Sequence, residues 1–119
     1  MSKWLIVLSI VLIDLISKFL VNDHIRNTGL AFGLFPGYNY LYILLISVIT
    51  LILIYFLIKS KSYVSYRFSF LVGGSLGNLI DRIMFGYVRD FITISVWPSF
   101  NFADIFNVIG VIILIKYWK

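Results

Sequence analysis

Four long apolar stretches, Trp4 to Val21, Tyr40 to Ile58, Phe68 to Phe85 and Phe102 to Tyr117, leave little of this chain for anything else. Each approaches the roughly 17–25 residues that a membrane-spanning helix needs. Of the 119 residues, 61% are hydrophobic and 13% charged, against about half and about a quarter in soluble domains. A chain this short has too little interior to hide so much apolar surface from water. The expected fold class is therefore an all-α membrane protein. It should form one domain over residues 1–119, a bundle of four transmembrane helices at 4–21, 40–58, 68–85 and 102–117. The first stretch is interrupted by Asp14 and Lys18 and is followed by no small-x-small cleavage site, so it reads as a retained helix. Ile92 to Val96 alternates β-branched residues with Thr and Ser, which predicts a short strand in an outer loop. Gly29, Gly33, Pro36, Gly37, Gly86 and Pro98 mark turns.

The charges orient this bundle. Lys3, Lys59, Lys61, Arg67, Lys116 and Lys119 lie at the chain ends and in the loop after the second stretch, whereas only Arg26 and Arg89 lie in the other two loops. The bias predicts that both termini and the middle loop are cytoplasmic, with residues 22–39 and 86–101 at the outer face. Trp4, Tyr63, Tyr66, Tyr117 and Trp118 would form one aromatic belt, and Tyr38, Tyr40 and Trp97 the other. The same rule accounts for the net charge of +5 without a nucleic-acid partner. The chain has no Cys, and His24 is its one His. Disulfides, thiol nucleophiles and multi-His zinc sites are excluded, and no metal or cofactor is expected.

All five acids are Asp: Asp14, Asp23, Asp81, Asp90 and Asp104. A charge at the bilayer centre costs about 2.5–3.5 kcal/mol on insertion scales. Asp14 and Lys18 stand one helical turn apart and can neutralise each other, although Lys18 could also snorkel outward. Asn78, Asp81 and Arg82 share a face at the outer end of the third stretch, where Asp81 would be structural if Arg82 pairs with it. Gly73, Gly74 and Gly77 read as a close-packing surface. Asp23 lies in a polar turn. Asp90, in an outer loop, and Asp104, opening the fourth stretch, both belong at the outer face. Taken singly, Asp90 reads as a solvated acid and Asp104 as a helix-dipole partner. Brought together, two such carboxylates would share a proton, and the pair could activate water for aspartyl proteolysis. Three other readings stay open on the residues alone. They are a small proton-coupled multidrug transporter working through Asp14, a Ser–Lys peptidase built from Lys18 with Ser17 or Ser75, and a purely structural subunit.

The segments themselves narrow the choice. Asp14 and Lys18, then NTGLAF (Asn27 to Phe32), GGSLGNLIDR (Gly73 to Arg82), VRDF (Val88 to Phe91) and FNFAD (Phe100 to Asp104), resemble, in the same order, the bacterial lipoprotein signal peptidases (signal peptidase II). The resemblance implies a four-helix aspartyl endopeptidase of the plasma membrane with a small extracytoplasmic β/loop element. Asp90 and Asp104 would be its catalytic dyad. It further implies that Asn27, Gly29, Asn78, Arg82 and Asn101 line or brace the site, that Asp14 and Lys18 support it from below, and that Asp81 is structural. The implied partners are membrane lipids and a prolipoprotein whose Cys carries a diacylglyceryl group, cut just before that Cys by a monomeric enzyme. Four features depart from the family pattern: a short segment from Val21 to Arg26, a compact loop between Asp90 and Asp104, Ser75 in place of the usual Ala, and an added polar residue at Asn107.

Overall fold

The computed structural model describes residues 2–30, 34–61 and 63–117. Gly33, Trp118, Lys119 and the last two residues of the NTGLAF segment, Ala31 and Phe32, lie outside the described residues. Four helices and two short strands follow one another: α1 (Lys3–Leu20), β1 (Ile25–Asn27), α2 (Asn39–Lys59), α3 (Tyr66–Phe85), β2 (Val88–Asp90) and α4 (Phe102–Lys116). The helices fall within two residues of the four apolar stretches, because long runs of Leu, Ile, Val and Phe offer no breaker until the polar loops.

Helix α3 is the axis of the fold and packs against α1, α2 and α4. Its glycines allow this closeness: Gly73 lies against Ile10 of α1, Gly77 against Asp14, and Gly74 against Ala103 and Asn107 of α4. The close-packing surface expected of these three residues is therefore present. At the end of the bundle holding the N-terminus, Val7, Leu57, Phe68 and Val72 form the apolar core. There Lys3 donates to the carbonyls of Leu57 and Ile58 at the end of α2, and Arg67 donates to Tyr117 at the end of α4. Both cations meet the negative ends of helix dipoles.

At the opposite end the strands pair antiparallel, with Ile25 opposite Asp90, Arg26 opposite Arg89 and Asn27 opposite Val88. The strand expected at Ile92–Val96 is displaced upstream to Val88–Asp90, where β1 supplies a partner. Of the expected span only Ile92 bridges, to Phe100, because the chain turns at Ser95, which has φ 50°.

The distribution of polarity is inverted relative to a soluble domain. Asp14, Asp81 and Asn101 are completely buried, whereas Leu8, Ile16, Leu44, Leu51 and Ile112 are exposed on the helix flanks. Only α2 among the described helices is both long and apolar enough to cross a membrane by length and composition. Helix α4 has just 15 residues, and α1 and α3 carry buried ionic side chains. The described belt aromatics, Trp4, Tyr63, Tyr66 and Tyr117 at one end and Tyr38, Tyr40 and Trp97 at the other, are all exposed.

Candidate active site

Helix α4 begins on a tightly bonded turn. Asn101 is its N-cap: its Oδ1 accepts from the Asp104 backbone N–H at 2.9 Å, and the Asp104 carboxylate accepts from the Asn101 backbone N–H at 3.1 Å. This capping box fixes the Asp104 side chain at the positive end of the helix. Asp14 reaches across from α1 and accepts the next free donor, the Ala103 N–H, at 2.9 Å. Two carboxylates from different helices thus satisfy the first turn of α4.

Asp90 comes from the end of β2, where side chains alternate between buried and half-buried. The side-chain amide of Asn101 donates to its Oδ1 at 2.9 Å and to the Asn78 Oδ1 at 2.9 Å, while Asn78 donates to Asp104 at 3.0 Å. Asn101 and Asn78 therefore link Asp90 to Asp104. Burial, and after it the Asp104 charge, push the Asp90 carboxyl up to about 7, against the opposing effects of Asn27, Lys18 and Asn101.

A second layer holds the first. The Lys18 ammonium lies 2.5 Å from Asp14, 3.2 Å from Asp81 and 3.3 Å from the Asn78 amide oxygen. It is 1% exposed, so the side chain does not snorkel; the carboxylates on either side hold it inward. The expected partnership of Asp81 with Arg82 is also replaced. Asp81 accepts from the Arg89 backbone N–H at 2.9 Å, from its guanidinium at 2.9 and 3.3 Å, and pairs with Lys18. Arg82 instead donates to the Gly29 carbonyl at 2.5 Å and lies over the Tyr42 ring. Its Nε and Nη1 are buried without a partner among the described residues. Asn27 organises the loop after β1 by accepting from the Gly29 N–H and donating to the Leu30 carbonyl. Asp23 is exposed, as expected of a polar turn.

Two hollows meet here. Asp90 lines an outer depression of about 260 Å³ with Asn27 and Gly29. Asp104 lines an inner cavity of about 190 Å³ with Asn78, Arg82 and the apolar Ile46 and Ile49 of α2. Asn27 borders both. Asp14, Lys18, Asn27, Gly29, Asn78, Arg82, Asp90, Asn101 and Asp104 thus lie in one connected polar cluster, and Asp23 lies outside it. Arg89 and Tyr42 were not anticipated. Arg89 counted only as a loop charge, and its bond to Asp81 depends on the turn at Gly86, which spacing alone does not reveal. Tyr42 read as part of an apolar run, yet its hydroxyl donates to the Phe35 carbonyl and holds the loop over the site. Ser17 is unsuited to a Ser–Lys pair, since its hydroxyl donates to the Asp14 carbonyl.

Carboxylates braced by amides at one end of an apolar-sided helical bundle are the groups that a membrane hydrolase of the aspartic class uses. Comparison with known proteins is more specific. The family model described as Signal peptidase (SPase) II matches residues 1–118. The chain is 37% identical to a lipoprotein signal peptidase of Halothermothrix orenii, over 98% of this chain and 94% of that protein. It is 38% identical to one from Caldicellulosiruptor bescii, over 96% and 88%. A solved bacterial membrane enzyme superposes with a TM-score of 0.85 at 31% identity, over 96% of this chain and 85% of that one. The chain belongs to the signal peptidase II family.

Proposed function

We propose that Asp90 and Asp104 are the catalytic dyad of this protein, joined through Asn101 where the outer depression meets the inner cavity. That single arrangement carries the assignment. As a member of its family the chain is an aspartic protease that removes signal peptides from prolipoproteins, and it is a membrane protein. The transporter alternative finds no support in these relatives.

On this reading the dyad holds one proton and a water. The charge balance of the cluster favours it: Asp14, Asp81, Asp90 and Asp104 face Lys18, Arg82 and Arg89, and one retained proton brings four carboxylates and three cations to neutrality. The elevated Asp90 supports a proton that stays bound near neutral pH. The ionised oxygen takes a proton from water, whose oxygen bonds to the scissile carbonyl carbon. The protonated carboxyl hydrogen-bonds the developing oxyanion. The carbon–nitrogen bond then breaks, and the amine leaves with a proton from the pair. The titration belongs to the pair as a unit.

Asn78 and Asn101 hold the carboxylates, Asp14 and Lys18 fix the ends of α4 and α3 beneath them, and Asn27, Gly29 and Arg82 border the substrate path. The free Arg82 donors can serve a substrate carbonyl. The apolar flanks support four lipid-facing spans in one domain over residues 1–119 of a plasma-membrane monomer, and the Lys/Arg bias supports cytoplasmic termini with the site at the outer face. The substrate is a prolipoprotein carrying a diacylglyceryl-modified Cys, cut just before that Cys.

The test is incubation of purified protein with a lipidated precursor and with its unlipidated form. Cleavage of the lipidated form alone is expected. Asp90→Asn and Asp104→Asn should each abolish it while the protein still inserts. Normal turnover by either variant would remove that residue from the dyad.

A further inference from the structure

Below the dyad the inner cavity continues toward the middle of the bundle. Its walls there are the apolar Ile46 and Ile49, but Ser75 of α3 and Asn107 of α4 interrupt them. The mechanism uses neither residue. Asn107 lies one turn beyond Asp104 on the same helix, and its Oδ1 rests against the Gly74 backbone, where any larger residue would collide with it. That oxygen is buried and has no hydrogen-bond partner among the described residues. A polar group in an apolar setting is ordinarily bonded, and an unmet amide oxygen beside a cavity is a binding group in waiting. The space exceeds what one water needs, about 30 Å³ of liquid, and suits a compact side chain.

We infer that Asn107 and Ser75 form a specificity subsite for a hydroxyl-bearing side chain, Ser or Thr, on the signal-peptide side of the scissile bond. The inference rests on the peptidase reading. The carboxamide can donate to or accept from a hydroxyl, and the Ser75 hydroxyl can do either. The apolar walls leave room for the methyl of Thr. A site built around a hydrogen bond discriminates against an isostere that lacks it, because its own polar groups are then left unpaired.

The experiment compares lipidated precursors that differ by Thr or Val, an isosteric pair, at each position of the turn preceding the lipidated Cys. The wild-type protein should favour Thr at one position by roughly tenfold in kcat/KM, the factor one neutral hydrogen bond supplies. Asn107→Leu should bring that ratio close to unity. Ser75→Ala, a milder change suited to the case where the Leu variant folds poorly, should reduce it. Equal turnover of Thr and Val precursors at every position overturns the subsite, as does a ratio that survives both substitutions. Failure of the wild-type protein to cleave any lipidated precursor would instead overturn the peptidase reading, and the subsite with it.

Discussion

Asp90 is costly to the fold that positions it. It is 2% exposed and its carboxyl is raised to about 7, principally by burial and then by Asp104. A carboxyl raised in the folded state holds its proton more tightly there than in the unfolded chain. Its contribution to stability is therefore complete below about pH 4 and is lost as the pH climbs through about 7. Asp90→Asn keeps the oxygen that accepts from Asn101 and removes the titration. In thermal unfolding in detergent, the variant should equal wild type near pH 4 and become progressively more stable above it. The gain at pH 8 should be on the order of 4 kcal/mol. A variant less stable than wild type at pH 8 would contradict this reading of the site. Cleavage should follow the same proton: a bell-shaped profile whose alkaline limb descends as the pair loses its shared proton near and above pH 7.

Among the elements, α3 places the greatest demands on its neighbours, and two of its glycines separate packing from backbone geometry. A methyl on Gly77 would stand 3.0 Å from the Asp14 carboxyl carbon and 3.3 Å from Ala103. Asp14 has little freedom to move, being held by Lys18 and by the Ala103 N–H. Gly77→Ala should cost about 1–3 kcal/mol and should also depress cleavage, because displacing Asp14 disturbs the start of α4 and with it Asp104. Gly86 ends α3 at φ 81°, with nothing within 4 Å of an added methyl. Gly86→Ala should cost about 1–2 kcal/mol through backbone conformation and leave cleavage close to wild type. Denaturation midpoints and turnover measured on both variants would check the contrast. The helices were legible in the sequence because apolar runs and their polar interruptions have a local period. The glycine surface was legible for the same reason. The position of the strand was not: Val88–Asp90 is extended because β1 lies beside it, a tertiary cause that alternation at Ile92–Val96 could not outweigh. The pairings of Asp81 and Lys18 were partly hidden too. Helical spacing found Lys18 with Asp14, but Arg89 reaches Asp81 across a turn, where helical spacing offers no guide.

At the scale of the whole molecule, the two ends of the bundle are chemically unlike. One end has an apolar core and cations on helix C-termini; the other concentrates buried carboxylates, amides and the sheet. Resemblance to the family pointed to motifs that lie far apart in the chain, and their residues converge at this one end. The orientation expected for that axis in the membrane rests on Lys and Arg: among the described residues, Lys3, Lys59, Lys61, Arg67 and Lys116 sit at the core end and in the loop there, whereas the loops of the site end carry Arg26 and Arg89. The absence of Cys allows a direct measurement with single introduced thiols. Asn22, beyond the end of α1, and Tyr63, in the turn before α3, are both exposed and lie at opposite ends. In intact cells with a permeable outer boundary, a membrane-impermeant maleimide should label Asn22→Cys and leave Tyr63→Cys unmodified until the membrane is opened. In inside-out vesicles the pattern should reverse. Labelling of Tyr63→Cys from outside would invert the bundle and put Asp90 and Asp104 in the cytoplasm, on the wrong side for a precursor whose lipidated Cys emerges at the outer face.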